Sequence, residues 1–335
     1  MHHVGLIGFG LAGRAFHAPL LAAVPALRLA AVVTSRAQEV AEQHPEARVL
    51  ATPEQLFADP AIDLVVIATP NDSHAPLARA ALEAGKHVVV DKPFALTADD
   101  ARAVAALAEA RGRLCTVFHN RRWDADFLTI RSLLRDGTLG EIALAELRWD
   151  RFRPAIKQGW RETPQPGAGL LADLGPHLID QALCLFGRPD AVSADIASQR
   201  VAASVDDYFE VTLHYGTRRV IVAAASLVAA PRPRFALHGT RGSFVKYGID
   251  PQEAVLRAGG SPAAAGYGEE DQGAWGLLSD PDGATTPVPS ARGDWRQFYE
   301  QVAIAMDGGA APVDCGDAIT GLALIEHARR SAAEG

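Results

Sequence analysis

A chain of 335 residues, 48% apolar and 21% charged, has the make-up of an ordinary globular protein and is long enough for two domains that each bury a core. A formal charge of −8 argues against a nucleic-acid partner. No apolar run reaches membrane-spanning length and the amino terminus moves straight into a strand, so the expectation is a cytoplasmic protein with no membrane partner.

Residues 4–7 are an apolar strand that runs into Gly8-Phe9-Gly10-Leu11-Ala12-Gly13, a G-x-G-x-x-G turn. In a dinucleotide fold the first glycine permits the tight turn and the second lets the backbone approach a pyrophosphate. The third lets the next helix pack against the strand, its N-terminus facing the phosphates. Gly8, Phe9, Gly10, Leu11 and Ala12 are therefore assigned to cofactor binding. A second strand, residues 29–33, ends in Thr34-Ser35-Arg36. An NAD-preferring site usually places Asp or Glu there, against the ribose 2′-hydroxyl. Two hydroxyls and a guanidinium favour NADP over NAD, because they hydrogen-bond and pair with a 2′-phosphate. The alternative is that Arg36 is a solvated helix-start residue.

Further apolar runs at residues 63–68 and 87–90 alternate with a helix-length segment at 73–85. Thr97 is a plausible N-cap for an Ala-rich helix ending near Gly112, and residues 114–118 follow as a further strand. Unbroken apolar runs separated by helices predict a parallel sheet covered on both faces, a Rossmann domain over residues 1–120. Beyond it the rhythm changes. A helix at about 124–135, stopped by Gly137, precedes strands at 142–149, 207–215 and 219–227, with Gly216 at a hairpin between the last two. Residues 121–335 thus read as an α+β domain on an open, mainly antiparallel sheet, with one face against a core and one free or in an interface. Residues 259–289, dense in Gly, Pro, Ala and Ser, read as a long surface excursion, and helices near 294–306 and 317–333 finish the chain.

Asp91-Lys92-Pro93 directly follows the strand at 87–90, at the carboxyl edge of the sheet where ligands of such folds bind. An ammonium there offers donors to a nicotinamide ribose and to a reacting substrate oxygen. The competing reading is an exposed lysine at a strand end, which Pro93 disfavours by restricting Lys92. Asp173 and His177 follow the flexible run Gly167-Ala168-Gly169 and stand four positions apart, so on a helix they share a face. Oxidising a secondary alcohol needs removal of the hydroxyl proton as hydride leaves the carbon, and histidine has a suitable pKa. An N-cap aspartate and a core histidine explain the pair equally well. Cys115, Cys184 and Cys315 are far apart, and His2 and His3 lack a ligand cluster, so neither a disulfide framework nor a metal site is expected.

Together these motifs, with Thr69-Pro70-Asn71 and His74, resemble the glucose-fructose oxidoreductase and inositol dehydrogenase superfamily (Gfo/Idh/MocA) over essentially the whole chain. Asp91 departs from the Glu usual there. Residues 34–36, 119–124, 127–130, 151–154 and 160–162 resemble the NADP-dependent scyllo-inositol dehydrogenase branch. The resemblance implies a catalytic set of Lys92, Asp173 and His177, with His177 as proton acceptor and Lys92 binding the substrate hydroxyl. It also implies that Thr69, Pro70, Asn71 and His74 line the cofactor groove beside Asp91 and Lys92, that Trp160 and Arg161 approach the nicotinamide, and that Asn120 and Arg121 border the substrate. Core packing is the alternative for Trp160. The resemblance also implies hydride transfer between NADP and an inositol, with residues 121–335 as the substrate-binding and oligomerisation domain of a homodimer or homotetramer. The same chemistry on an aldose or other sugar carbonyl, and a non-catalytic NADP sensor, are the rivals.

Overall fold

The apolar runs of the first third become strands: β1 (His2–Ile7), β2 (Leu27–Val33), β4 (Leu64–Ile67), β5 (His87–Val90) and β6 (Cys115–Val117), joined by β3 (Arg48–Leu50). The computed structural model describes residues 1–157 and 159–334. All six strands are parallel, in the order β3-β2-β1-β4-β5-β6. Strands covered on both faces bury every side chain, and β4 is buried along its whole length. β3 escapes sequence reading because its residues are exposed or half-buried and form no apolar run. The order reverses beside β1, which makes the carboxyl ends of β1 and β4 the switch point of the sheet.

Local signals set the helices of this unit. Thr97 Oγ1 accepts from the Asp100 amide at 3.1 Å and starts the helix Ala98–Arg111; Gly112, with φ +59°, ends it. Contacts gather Met1–Trp123 with two later stretches, Gln252–Tyr267 and Asp294–Ile319. The sequence reading had placed those stretches after its division at residue 120. They contribute Trp295, Phe298 and Tyr299, all fully buried: Phe298 and Tyr299 pack against Phe118, Phe298 also against Trp123, and Trp295 against Phe16.

The second unit holds Asp124–Pro251, Gly268–Gly293 and the chain from Thr320 onward. Its strands are β7 (Ile142–Arg148), β8 (Ala191–Ala197), β9 (Tyr208–Tyr215), β10 (Arg218–Ala225), β11 (Phe235–Gly239), β12 (Gly242–Lys246), β13 (Gly276–Ser279) and β14 (Thr285–Val288). They form one sheet in the order β14-β13-β12-β11-β7-β10-β9-β8. Every pair is antiparallel except β7 with β10. Burial alternates along β9: Phe209, Val211 and Leu213 face a core shared with Leu171, Leu174 and Leu178 of the helix Leu170–Phe186. On the other face Arg148 pairs with Glu146 at 2.5 Å and with Glu210 at 3.2 Å. Gly216 turns the β9–β10 hairpin at φ +55°.

The expected surface excursion at 259–289 is corrected. Its later half supplies β13 and β14, which extend the sheet at its β12 edge, with Leu278 and Val288 resting on the core. Glycine and proline obscured these short strands, and Pro287 is tolerated because β14 is an edge.

Candidate functional site

In the first unit the glycine turn is shaped by close backbone approach. Gly8 has φ +95°, a conformation that disfavours any side chain. A Cβ on Gly13 would lie 2.0 Å from the Gly8 carbonyl oxygen, whereas one on Gly10 would meet nothing within 4 Å. The first helix can therefore pack against β1 only through glycine, and there is room above Gly10 for a phosphate to approach main-chain N–H groups. These residues fit a dinucleotide. Phe9 is 2% exposed and packs edge-on to His44 at 6.1 Å, so its side chain belongs to the core and its main chain to the turn. Leu11 is exposed.

At the end of β2, Thr34 Oγ1 accepts from the Arg36 amide at 3.0 Å, and Ser35 and Arg36 are exposed. Arg36 Nη1 donates to Glu39 Oε1 at 2.9 Å, and Arg14 Nη1, from the turn of helix Gly13–His17, donates to Glu39 Oε2 at 2.6 Å. These hydrogen bonds, Arg36 first, hold the Glu39 carboxyl below its ordinary range. Sequence reasoning passed over Arg14 and Glu39, although Arg14 directly follows the glycine turn and Glu39 stands one helical turn beyond Arg36.

After β4, Thr69 Oγ1 and Ser73 Oγ share a hydrogen bond of 2.6 Å. His74 is 1% exposed. One ring nitrogen faces the Pro93 carbonyl at 2.7 Å and the other the Thr69 carbonyl at 3.0 Å. His74 therefore straps the turn after β4 to the turn after β5. The Lys92–Pro93 bond is cis. Asp91 Oδ1 accepts from the Lys92 amide at 2.8 Å, while Oδ2 faces His17 Nε2 at 3.8 Å. His17 is fully buried, and its Nδ1 lies 2.6 Å from the Tyr299 hydroxyl. Burial opposes the charge on Asp91, but the His17 imidazole and the Lys92 and His74 charges outweigh it and leave the carboxyl below its ordinary range. Burial, then the charge of Asp91, pushes the Tyr299 phenol up. Tyr299 therefore stays a neutral phenol against the His17 ring. Nothing in the sequence links positions 282 residues apart.

Asn120 and Arg121 are 5% and 4% exposed. Arg121 pairs with Glu253, and its guanidinium lies 4.8 Å from the centre of the Trp295 ring, a packing and charge tie inside the first unit.

In the second unit the helix Leu170–Phe186 carries Asp173 and His177. Asp206 anchors its start: its carbonyl accepts from the Leu170 amide at 2.8 Å and its Oδ2 from the Leu171 amide at 2.7 Å. Asp173 lies 3.3 Å from Arg161 Nε, and the Arg161 guanidinium stacks 4.5 Å from the Trp160 ring centre. The structure thus brings Trp160, Arg161 and Asp173 together. His177 is 7% exposed and its ring stands 6.2 Å from that of Trp149. Arg234, 5.0 Å from the same indole, donates to buried Gln181 at 2.7 Å. Glu162, beside Arg161 in sequence, binds Arg200 at 2.6 Å, and Arg200 also binds Asp207 at 2.7 Å. Lys92, Asn120 and Arg121 fall in the first unit, Asp173 and His177 in the second. Among the described residues no cluster of three His, Cys, Asp or Glu could hold a metal, and no helix is long and apolar enough to cross a membrane.

Two family descriptions match the chain in order: "Oxidoreductase family, NAD-binding Rossmann fold" over residues 2–119, and "Oxidoreductase family, C-terminal alpha/beta domain" over residues 131–335. The chain is 46% identical over 333 residues to the uncharacterized oxidoreductase YdgJ of Escherichia coli, covering 98% of this chain and 96% of that one. It is 40% identical over 335 residues to the scyllo-inositol 2-dehydrogenase (NADP(+)) IolW of Bacillus subtilis, covering 99% and 94%. Among solved structures, the oxidoreductase YvaA of Bacillus subtilis superposes with a TM-score of 0.97 at 40% identity, covering 99% and 96%.

Proposed function

Because the chain belongs to the Gfo/Idh/MocA oxidoreductase family, we propose that it is an NADP-dependent dehydrogenase of an inositol of the scyllo type, oxidising a ring hydroxyl to a ketone or running the reverse reaction. The observation that carries the cofactor preference is the end of β2. Thr34, Ser35 and Arg36 stand where an NAD-preferring site presents a carboxylate. The near full-length likeness to the scyllo-inositol enzyme supports the substrate.

A bound nicotinamide supplies the hydride acceptor. The residues of this chain supply the rest. Gly8, Gly10 and the main chain of Phe9, Leu11 and Ala12 hold the pyrophosphate; Thr69, Pro70 and Asn71 border the nicotinamide half, with His74 keeping their turn in place. Lys92 holds the reacting oxygen and stabilises negative charge on it. His177 takes the hydroxyl proton, and Asp173 favours the imidazolium that results. Arg161, paired with Asp173 and stacked on Trp160, holds that carboxylate in place.

The test is the appearance of reduced nicotinamide when the purified protein meets NADP or NAD with a panel of inositol stereoisomers and aldoses. NADP-selective turnover of scyllo-inositol is the expected result. Turnover of aldoses alone overturns the substrate, preference for NAD overturns the cofactor, and cofactor binding with silence throughout favours a sensor.

A further inference from the structure

We propose that Arg14 and Glu39 complete, with Arg36, a subsite for the 2′-phosphate of the dinucleotide. Arg14 is its second arginine, and Glu39 is an internal carboxylate that the phosphate displaces. The inference rests on the NADP reading above.

The geometry points to an anion site already assembled. Arg14 follows the third glycine of the turn after β1, and Arg36 follows β2; these strands are parallel neighbours whose ends, Ile7 and Val33, are in register. The two guanidiniums thus come from the two elements that flank the adenosine side of such a fold. They converge on opposite oxygens of one carboxylate, at 2.6 Å and 2.9 Å. Their side chains are 42% and 52% exposed, so a ligand reaches both. Two cations against one carboxylate leave an excess of one positive charge. A phosphomonoester carries about −1.5 to −2 and three acceptor oxygens, which matches two forked cations better than a carboxylate does. The exposed hydroxyl of Ser35 lies beside Arg36 in sequence, and the Thr34 hydroxyl fixes the loop by accepting from the Arg36 amide at 3.0 Å.

Glu39 therefore has a double effect. It holds the arginines in place when no cofactor is bound, and it competes with the phosphate when one arrives. The opposite assignment, in which Glu39 neutralises both arginines and accepts from a ribose hydroxyl, makes the reverse prediction for its removal.

Calorimetric titration of the full-length protein with NADP, NAD, 2′,5′-ADP and 5′-AMP separates them. Arg14→Ala is expected to weaken NADP and 2′,5′-ADP about tenfold, the loss of one charge-assisted bond, with NAD and 5′-AMP changed less than about twofold. Their unchanged binding also reports that the variant is folded. Glu39→Gln is expected to tighten NADP by about threefold or more and to leave NAD as it was. A wild type that prefers NADP but is indifferent to Arg14→Ala overturns the subsite alone, as does weaker NAD binding in Glu39→Gln. A wild type that prefers NAD overturns the cofactor reading and the subsite together.

Discussion

Lys92 and Gly13 show how differently single residues act in the first unit. Lys92→Ala is expected to cut turnover at least a hundredfold, roughly the worth of a group acting at the reacting oxygen, while calorimetry finds dinucleotide affinity within about threefold of wild type. Near-normal turnover removes the lysine from the chemistry. Gly13→Ala acts through structure, since its methyl would meet the Gly8 carbonyl at 2.0 Å. The backbone must shift, and the expected cost is about 2 kcal/mol or more, read as a lower urea midpoint together with weaker dinucleotide binding. Such residues were legible in the sequence because a local constraint fixes each: a spacing around a turn, a position at a strand end, two side chains one helical turn apart. His17 and Tyr299 were not, because their partnership depends on burial between distant stretches. His74 and Arg121 are expected from the resemblance beside ligands; the contacts visible in the structure, His74 to two backbone turns and Arg121 to half-buried Glu253, depend on folding and were not legible.

At the scale of elements, the helix Leu170–Phe186 depends on a residue outside itself. Its first amides are bonded by Asp206 instead of by a cap in its own sequence, so Asp206→Ala is expected to destabilise the protein by about 1–2 kcal/mol. Urea unfolding checks it, and an unchanged midpoint means that water replaces the carboxylate without cost. The helix Ala98–Arg111 and the buried parallel strands could be anticipated because periodicity and caps are written locally, whereas the helix Leu170–Phe186 was legible only as a helix on which Asp173 and His177 would share a face. β3, β13 and β14 could not be anticipated, since short strands at or next to a sheet edge carry too few apolar residues to stand out from the loops around them. The open antiparallel sheet was legible from β7, β9 and β10; the parallel pairing of β7 with β10 was not, because it sets together strands far apart in sequence.

At the scale of the whole molecule, buried charges set the pH range of stability. Burial disfavours the charges of Asp91, Glu253 and Asp207, yet each carboxyl is held below its ordinary range: by His17 for Asp91, by Arg121 for Glu253, and by the Gln199 amide and Arg200 for Asp207. Groups depressed in the folded state contribute stability above their unfolded pKa near about 4 and lose it as pH falls through the folded values. Burial pushes the Tyr215 phenol up to about 12, so its contribution is intact below an unfolded pKa of about 10 and lost as pH rises from there through the folded value. Urea midpoints are thus expected to fall on both flanks, below about pH 4 and above about pH 10, and Tyr215→Phe to make the alkaline flank shallower, with buried Tyr299 supplying the remainder. A midpoint independent of pH on the acid side contradicts the account of the three carboxylates. The first unit closes only with residues 252–267 and 294–319, so the nucleotide fold is interrupted by the chain of its neighbour. On a ribosome, the glycine turn emerges long before Phe298 and Tyr299, the aromatic lid that packs on His17 and Phe118. Until then the nascent unit exposes that apolar surface, and a clone truncated after residue 120 keeps it exposed for good, which makes the short fragment a substrate for chaperones and not a miniature binding protein.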